Sequence, residues 1–134
     1  MSSFADQLRA SEAKTLDKMN RAARKITLDA FSEVIMMSPV DTGRFRGNWQ
    51  TAIGSAPDGT IEATDPSGNI VIAKVAGVVA GMDPGDVVYM ANNLPYAQRL
   101  EDGWSQRAPN GFVRLTVQRW QPIADAVIRQ IGAE

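Results

Sequence analysis

The chain contains neither cysteine nor histidine among its 134 residues. Without cysteine there is no disulfide, no thiolate zinc site and no cysteine nucleophile. Without histidine the commonest general base and the commonest metal ligand are missing as well. Lysine is scarce beyond the N-terminal region, with Lys74 the only one after Lys25. Charge of either sign is not in excess: 14 basic and 15 acidic residues leave a net charge of −1. A dedicated nucleic-acid binder usually carries a basic surplus. No apolar run approaches the ~18 residues that span a bilayer. Residues 1–20 are polar and carry both charge signs, unlike a secretory leader. These absences lead us to expect a soluble protein of the cytoplasm, or one assembled there, with no cofactor and no membrane partner.

What is present is ordinary for a globular domain: 44% apolar and 22% charged residues. The length suits one domain over 1–134 with a modest core. Residues 3–37 read as one long helix, with Leu16, Met19, Ala23, Ile26, Ala30 and Val34 in a single apolar stripe. Ser3 and Asp6 resemble a capping pair at its start, and Pro39 forces its end near Ser38. Apolar density is lower before Leu16, so the first part is expected to project from the body or to be mobile. Lys14, Lys18, Arg21 and Lys25 fall on the opposite face. That face reads first as a solvated helix surface, and alternatively as a contact for an acidic neighbour or for passing DNA.

Asp41-Thr42-Gly43 is turn chemistry. The alternation of Phe45, Gly47, Trp49, Thr51 and Ile53 with polar residues predicts a half-buried strand. Thr60–Thr64 is a candidate pairing strand. Residues 69–80 read as a helix capped by Ser67 and closed by Gly81 at its C-terminal end, although their β-branched content also fits a strand. Asp86–Asn92 is the clearest second strand. Pro95 opens a short helix, PYAQRLED, closed by Gly103. Gly111–Ile131 returns to helical spacing, with Phe112, Leu115, Trp120, Ile123, Val127 and Ile131 near one face, and Pro122 kinks or divides it. The predicted class is α+β: a long N-terminal helix and a C-terminal helix packed on a small, mainly antiparallel sheet.

The stretch NNLPYAQRLEDGWSQRAPNGF (92–112) concentrates polar and aromatic groups. Glu101 and Asp102 are adjacent, so on a helix they point about 100° apart rather than across one bond. Ser105 has no histidine to activate it, and no phosphate-binding loop or calcium-loop spacing is present. Asn92 and Asn93 can satisfy free backbone groups at a strand end. Tyr96 and Trp104 are expected as half-buried anchors, and Arg99 and Arg107 as partners of carboxylates. Tyrosine, tryptophan and arginine are the residues that dominate protein interfaces.

Two blocks carry a family likeness. SPVDTGRFRGNW (38–49) resembles the SPVDTG-x-[LF]-R-x-x-W signature of tail-completion, or neck, proteins of long-tailed bacteriophages, a group related to the minor tail protein Z type. NNLPYAQRLEDGWSQRAPNGFVRLTV (92–117) resembles the same family's second signature, N-x-x-PYA-x-x-[LI]-E-x-G-x-S-x-x-AP-x-G-[FM]-[VL]. The blocks lie in the family's order and cover a little over a quarter of the chain. The resemblance implies a small α+β subunit of a homo-oligomeric ring, commonly a hexamer. The ring completes the tail end in the virion neck, between a tail terminator or tail tube protein and the head–tail connector, with DNA passing through its lumen. By the same resemblance Pro39, Asp41, Thr42, Gly43, Arg46 and Trp49 build one corner. Asn93, Pro95, Tyr96, Ala97, Glu101, Gly103, Ser105, Pro109 and Gly111 build another. Where the family follows its central glutamate with a bulky residue, this chain has Asp102. With Arg99, Trp104 and Arg107 these positions form the expected interface. The alternatives are a head–tail adaptor or tail terminator touching DNA through Lys14, Lys18, Arg21 and Lys25, and, remotely, a small glycan-active enzyme using Glu101.

Overall fold

A computed structural model describes residues 3–134. The first element, α1 (Phe4–Met37), starts in a reciprocal capping box: the Asp6 amide donates to Ser3 Oγ and the Ser3 amide to the Asp6 carboxylate. It stops at Ser38, which is extended ahead of Pro39. A one-turn helix, α2 (Arg44–Gly47), leads into strand β1 (Trp49–Ile53). Helix α3 (Asn69–Val79) precedes β2 (Val88–Asn92). Then come α4 (Ala97–Glu101), α5 (Val113–Gln118) and α6 (Trp120–Gly132). The sheet is a two-stranded antiparallel pair with Trp49 opposite Asn92 and Ile53 opposite Val88. The class is α+β, with a long N-terminal helix, a C-terminal helix and a small antiparallel sheet. The helix that packs on the sheet is α3, whereas α1 lies against α3 and α6, which corrects the expectation that the two terminal helices cover it. Among the described residues no helix is long and apolar enough to cross a membrane.

The core lies where α1, α3 and the sheet meet. Val34 and Ile35 of α1 meet Val71, Val75 and Val79 of α3, together with Phe45, Trp49, Leu94 and Phe112. The three valines recur every four residues, which makes one buried face of α3. Ala124, Val127 and Ile131 give α6 its buried side, and α6 packs on α1. The buried stripe of α1 holds only in its second half. Residues 3–17 are exposed on every face, and Leu16, Met19 and Ala23 remain exposed too. The projecting first part was expected, and the bare segment reaches further along the helix than the apolar density predicts.

Several local expectations are corrected. Phe45 does not begin a strand. Gly43 is left-handed (φ 92°) and starts the α2 turn, which the Gly47 amide closes on the Gly43 carbonyl. Thr60–Thr64 forms no strand, because Asn48 holds Ile61 through its side chain instead of through a ladder. The β2 strand begins at Val88, two residues later than expected, after a turn in which Asp86 Oδ2 accepts from the Asp83 amide. Helix α3 is confirmed, but its start is held chiefly by Asp65, whose carboxylate accepts from the Val71 amide. Ser67 accepts only from the Asn69 amide, and the N-cap is Gly68. Its end needs no left-handed Gly81. Ala80 is right-handed, and the amides of Gly81 and Met82 turn back to Val78 and Val79. Pro95 sits in the turn before α4 rather than inside it. The last helical region is divided, as expected, but at Arg119. Pro122 has no amide hydrogen to donate to the carbonyl four residues back, and it sits comfortably in the first turn of α6, where that bond is not needed. Trp120 at that break is exposed rather than on the buried face.

Candidate functional site

The first motif is a corner built on carbonyl groups. The Arg46 guanidinium donates to the carbonyls of Met36 and Ser38, at 2.9 and 2.8 Å, and to that of Pro66 at 2.8 Å. The first two belong to the end of α1, where carbonyls lack helical partners and the dipole favours a cation. Burial pushes the Arg46 pKa below its ordinary value, and nearby Asp65 opposes the shift. Trp49 Nε1 donates to Ser38 Oγ at 2.9 Å, and Ser38 Oγ donates on to the Val34 carbonyl at 2.7 Å. One buried chain of hydrogen bonds therefore ties β1 to the end of α1. Gly43 is required on two grounds. Its φ is positive, and a Cβ there would stand 2.5 Å from the Pro66 nitrogen. The Gly43 carbonyl also receives the Asp65 amide at 2.9 Å. Thr42 Oγ1 accepts from the Arg44 amide, and Asp41 is exposed.

The second motif is built around Glu101. Its carboxylate accepts from the amides of Phe112, Val113 and Arg114 at 3.1, 3.0 and 2.9 Å. It thereby caps α5 from a distance, filling the place of a missing N-cap side chain. Gly111 must lack a side chain because a Cβ would come 2.8 Å from Glu101 Oε1, and Gly103 because a Cβ would come 2.4 Å from the Pro109 carbonyl. Asn92 donates to the Phe45 carbonyl, and Asn93 to the carbonyls of Pro57 and Gly59, as expected of a strand end.

An aromatic cluster joins the two motifs. Phe45 of the first lies 6.1 Å from Tyr96 and 5.5 Å from Phe112 of the second. Trp49 meets Phe112 edge-on at 6.0 Å. Above it a groove of about 450 Å³ runs between Pro39–Phe45 on one side and Tyr96, Leu100, Ser105 and Arg107 on the other. The structure thus brings the two blocks together.

The expected interface residues divide into two sets. Gly43, Arg46, Trp49, Glu101, Gly103 and Asn93 hold backbone in place. Tyr96, Arg99, Trp104, Arg107 and Pro109 are exposed around the groove and its adjoining loop. Pro95 is exposed beside them, and Ser105 Oγ accepts from the Arg107 amide. Trp104 is not half-buried: 72% of it is exposed, with the Arg99 guanidinium 5.1 Å from its ring centre. Neither Arg99 nor Arg107 pairs with a carboxylate among the described residues. Asp102, in place of a bulky residue, accepts from Gln98 and lies 3.7 Å from Arg114.

The basic face of α1 is largely matched within the chain. Arg21 pairs with Asp17 and Glu134, Lys25 pairs with Asp29, and Lys18 donates to a Glu134 oxygen. The Glu134 carboxylate raises the Arg21 pKa. Lys14 is exposed. Among the described residues no three potential ligands gather into a metal site.

Three residues that shape the site escaped sequence reasoning: Ser38, Asn48 and Asp65. All three are buried polar groups committed to hydrogen bonds. Their only sequence signal is position beside a proline or glycine turn. In comparisons with protein-family models, curated proteins and solved structures, nothing matches this chain.

Proposed function

We propose that the chain is a structural virion protein of a long-tailed bacteriophage neck. It forms a homo-oligomeric ring that completes the end of the tail tube and joins it to the head–tail connector. The observation that carries this reading is the division of labour within the two motif blocks. Their glycines, Arg46, Trp49 and Glu101 are consumed in holding two corners together. Among the residues left exposed, Tyr96 and Arg107 line the groove, and Arg99 and Trp104 stand on the adjoining segment. That is the composition of a protein interface. Glu101, the residue a glycan-active enzyme would use, already accepts three backbone amides. The matched cations of α1 offer little to DNA, in keeping with DNA that crosses the lumen without specific contact.

A subunit of this size buries about 800 Å² per side in a stable interface, and closing a ring takes two different patches per subunit. The groove loop is one candidate patch, and the long N-terminal helix α1 is a candidate for another. The test is removal of the gene from a phage that encodes it, with particles counted by electron microscopy. The expected result is free heads and unjoined tails, restored by the chain in trans. Normal numbers of joined, infectious particles without it would overturn the reading.

A further inference from the structure

Both outer edges of the two-stranded sheet lack a further strand, and that of β2 is the one beside a groove. The Gly54 amide donates to the Val87 carbonyl, and the register sets Ala52 opposite Tyr89 and Gln50 opposite Ala91. Bonded and non-bonded pairs alternate along an antiparallel ladder, so these three pairs are the bonded ones. The backbone groups of Val88 and Met90 therefore point away from β1, and among the described residues they meet no backbone partner. Edges of this kind are usually guarded by charge, proline or a bulge. The strand VYMAN has neither charge nor proline. Beside it runs a groove of about 360 Å³ lined by Phe45, Trp49, Phe112 and Arg114 among others.

A further unpaired edge lies in Thr60-Ile61-Glu62, where the sequence predicts a strand that the subunit does not form. Asn48 takes up both backbone groups of Ile61. Ile61 is half-buried while Thr60 and Glu62 are exposed, the alternation of an extended chain. The backbone groups of Thr60 and Glu62 have no backbone partner among the described residues. The side chain of Glu62 is 91% exposed, 3.9 Å from Arg44, and Arg114 lies 3.7 Å from Asp102. Exposed pairs at such distances are worth little, so both charges are available to a neighbour.

We infer that the Val88–Met90 edge of one copy pairs with the Thr60–Glu62 segment of a second copy, placing Glu62 against Arg114 of its neighbour. Each edge supplies the donors and acceptors the other needs, and the acid of one matches the base beside the other. The two edges are different patches, so the contact runs head to tail. Its closure into a ring rests on the function proposed above, whereas the pairing stands on the two edges alone.

The test is the mass of the purified full chain across a concentration series, for wild type, Met90→Pro, Glu62→Arg, Arg114→Glu and the double charge exchange. Because the Met90 amide points outward, proline there removes no hydrogen bond within the subunit. We expect Met90→Pro to weaken self-association at least roughly tenfold, the scale of one or two lost hydrogen bonds, each charge reversal to weaken it about severalfold by setting like charges together, and the double exchange to recover most of that loss. Wild-type assembly by Met90→Pro would overturn the strand pairing. Single charge variants without effect, or a double exchange without recovery, would overturn Thr60–Glu62 as the occupant, as a two-fold pairing of β2 with itself would produce. If Met90→Pro unfolds, the charge variants decide alone. A wild-type chain still monomeric at about 1 mM would overturn the inference outright. A chain that associates through these edges but is absent from phage necks would instead sink the neck reading and leave this one standing.

Discussion

Glu101→Gln is the perturbation that best separates a structural glutamate from a chemical one. In the native chain one carboxylate oxygen accepts from the amides of Phe112 and Val113, and the other from that of Arg114. The glutamine amide has a single acceptor oxygen. Placed toward Phe112 and Val113 it keeps two bonds without their charge, and its NH₂ group then faces the Arg114 amide donor to donor. A hydrogen bond to a charged group is worth about 1.5–3 kcal/mol and a neutral one about 0.5–1.5. Water reaches the Val113 and Arg114 amides and softens the loss, so the net cost is about 1–2 kcal/mol. With a urea dependence of roughly 1–3 kcal/mol per molar, the unfolding midpoint falls by about 0.3–2 M. Glu101→Ala should cost more, about 2–3 kcal/mol, because the cap vanishes and the Phe112 amide is partly buried. Glu101→Asp keeps the charge but is one methylene short, and should resemble glutamine rather than wild type. The assay is urea unfolding followed by tryptophan fluorescence and circular dichroism. A glutamine variant with the wild-type midpoint would refute the capping argument. Glycan hydrolysis by the wild type, lost in that variant, would give Glu101 a chemical role and remove the structural reading.

Trp49→Ala should lower stability by about 3–5 kcal/mol, and an unchanged urea midpoint would show that Trp49 is not part of the core. Ser38→Ala should cost about 1–3 kcal/mol by stranding the buried Trp49 Nε1–H, a loss that Trp49→Phe in the same background should largely cancel in a double-mutant cycle. Gly43→Ala should cost at least about 2 kcal/mol, since positive φ and a backbone clash with Pro66 act together. Gly59→Ala, with positive φ and open space, should cost only about 1–2 kcal/mol, and equal melting temperatures for the two would refute the clash. Trp104→Ala combined with Arg107→Ala should leave the dichroism spectrum intact and stability within roughly 0.5 kcal/mol, while reducing ring or neck assembly. Normal complementation by that double variant would remove the loop from the interface.

Elements defined by local chemistry were legible in the chain itself. The Ser3–Asp6 box and Pro39 bound α1, because caps and proline act on their own few residues. The length of residues 69–80 decided for a helix, and Pro122 required a break in the last helical region. The α+β class followed from the order of these segments. The two motif blocks were also visible, as was the expectation that their asparagines would bind backbone.

Other features depended on which segments meet in space. Phe45 and Trp49 are four residues apart, which places them on one side in either a strand or a helical turn, so the pattern could not exclude α2. Only the left-handed Gly43 and the Asn48 brace decide it. The apolar stripe of α1 runs on through Leu16 and Met19 with unchanged spacing, yet both stay largely exposed among the described residues. Periodicity shows which face is apolar, and only packing shows whether that face is covered. The cap on α5 comes from Glu101, eleven residues before Phe112, a distance at which no local rule links an acid to a helix start. Arg46 likewise reaches carbonyls on both sides of its own turn, and Arg21 meets Glu134 from the far end of the chain. A charge in sequence has no assigned partner until folding brings one near, so the destinations of Glu101, Arg46 and the α1 cations were decided by tertiary structure alone.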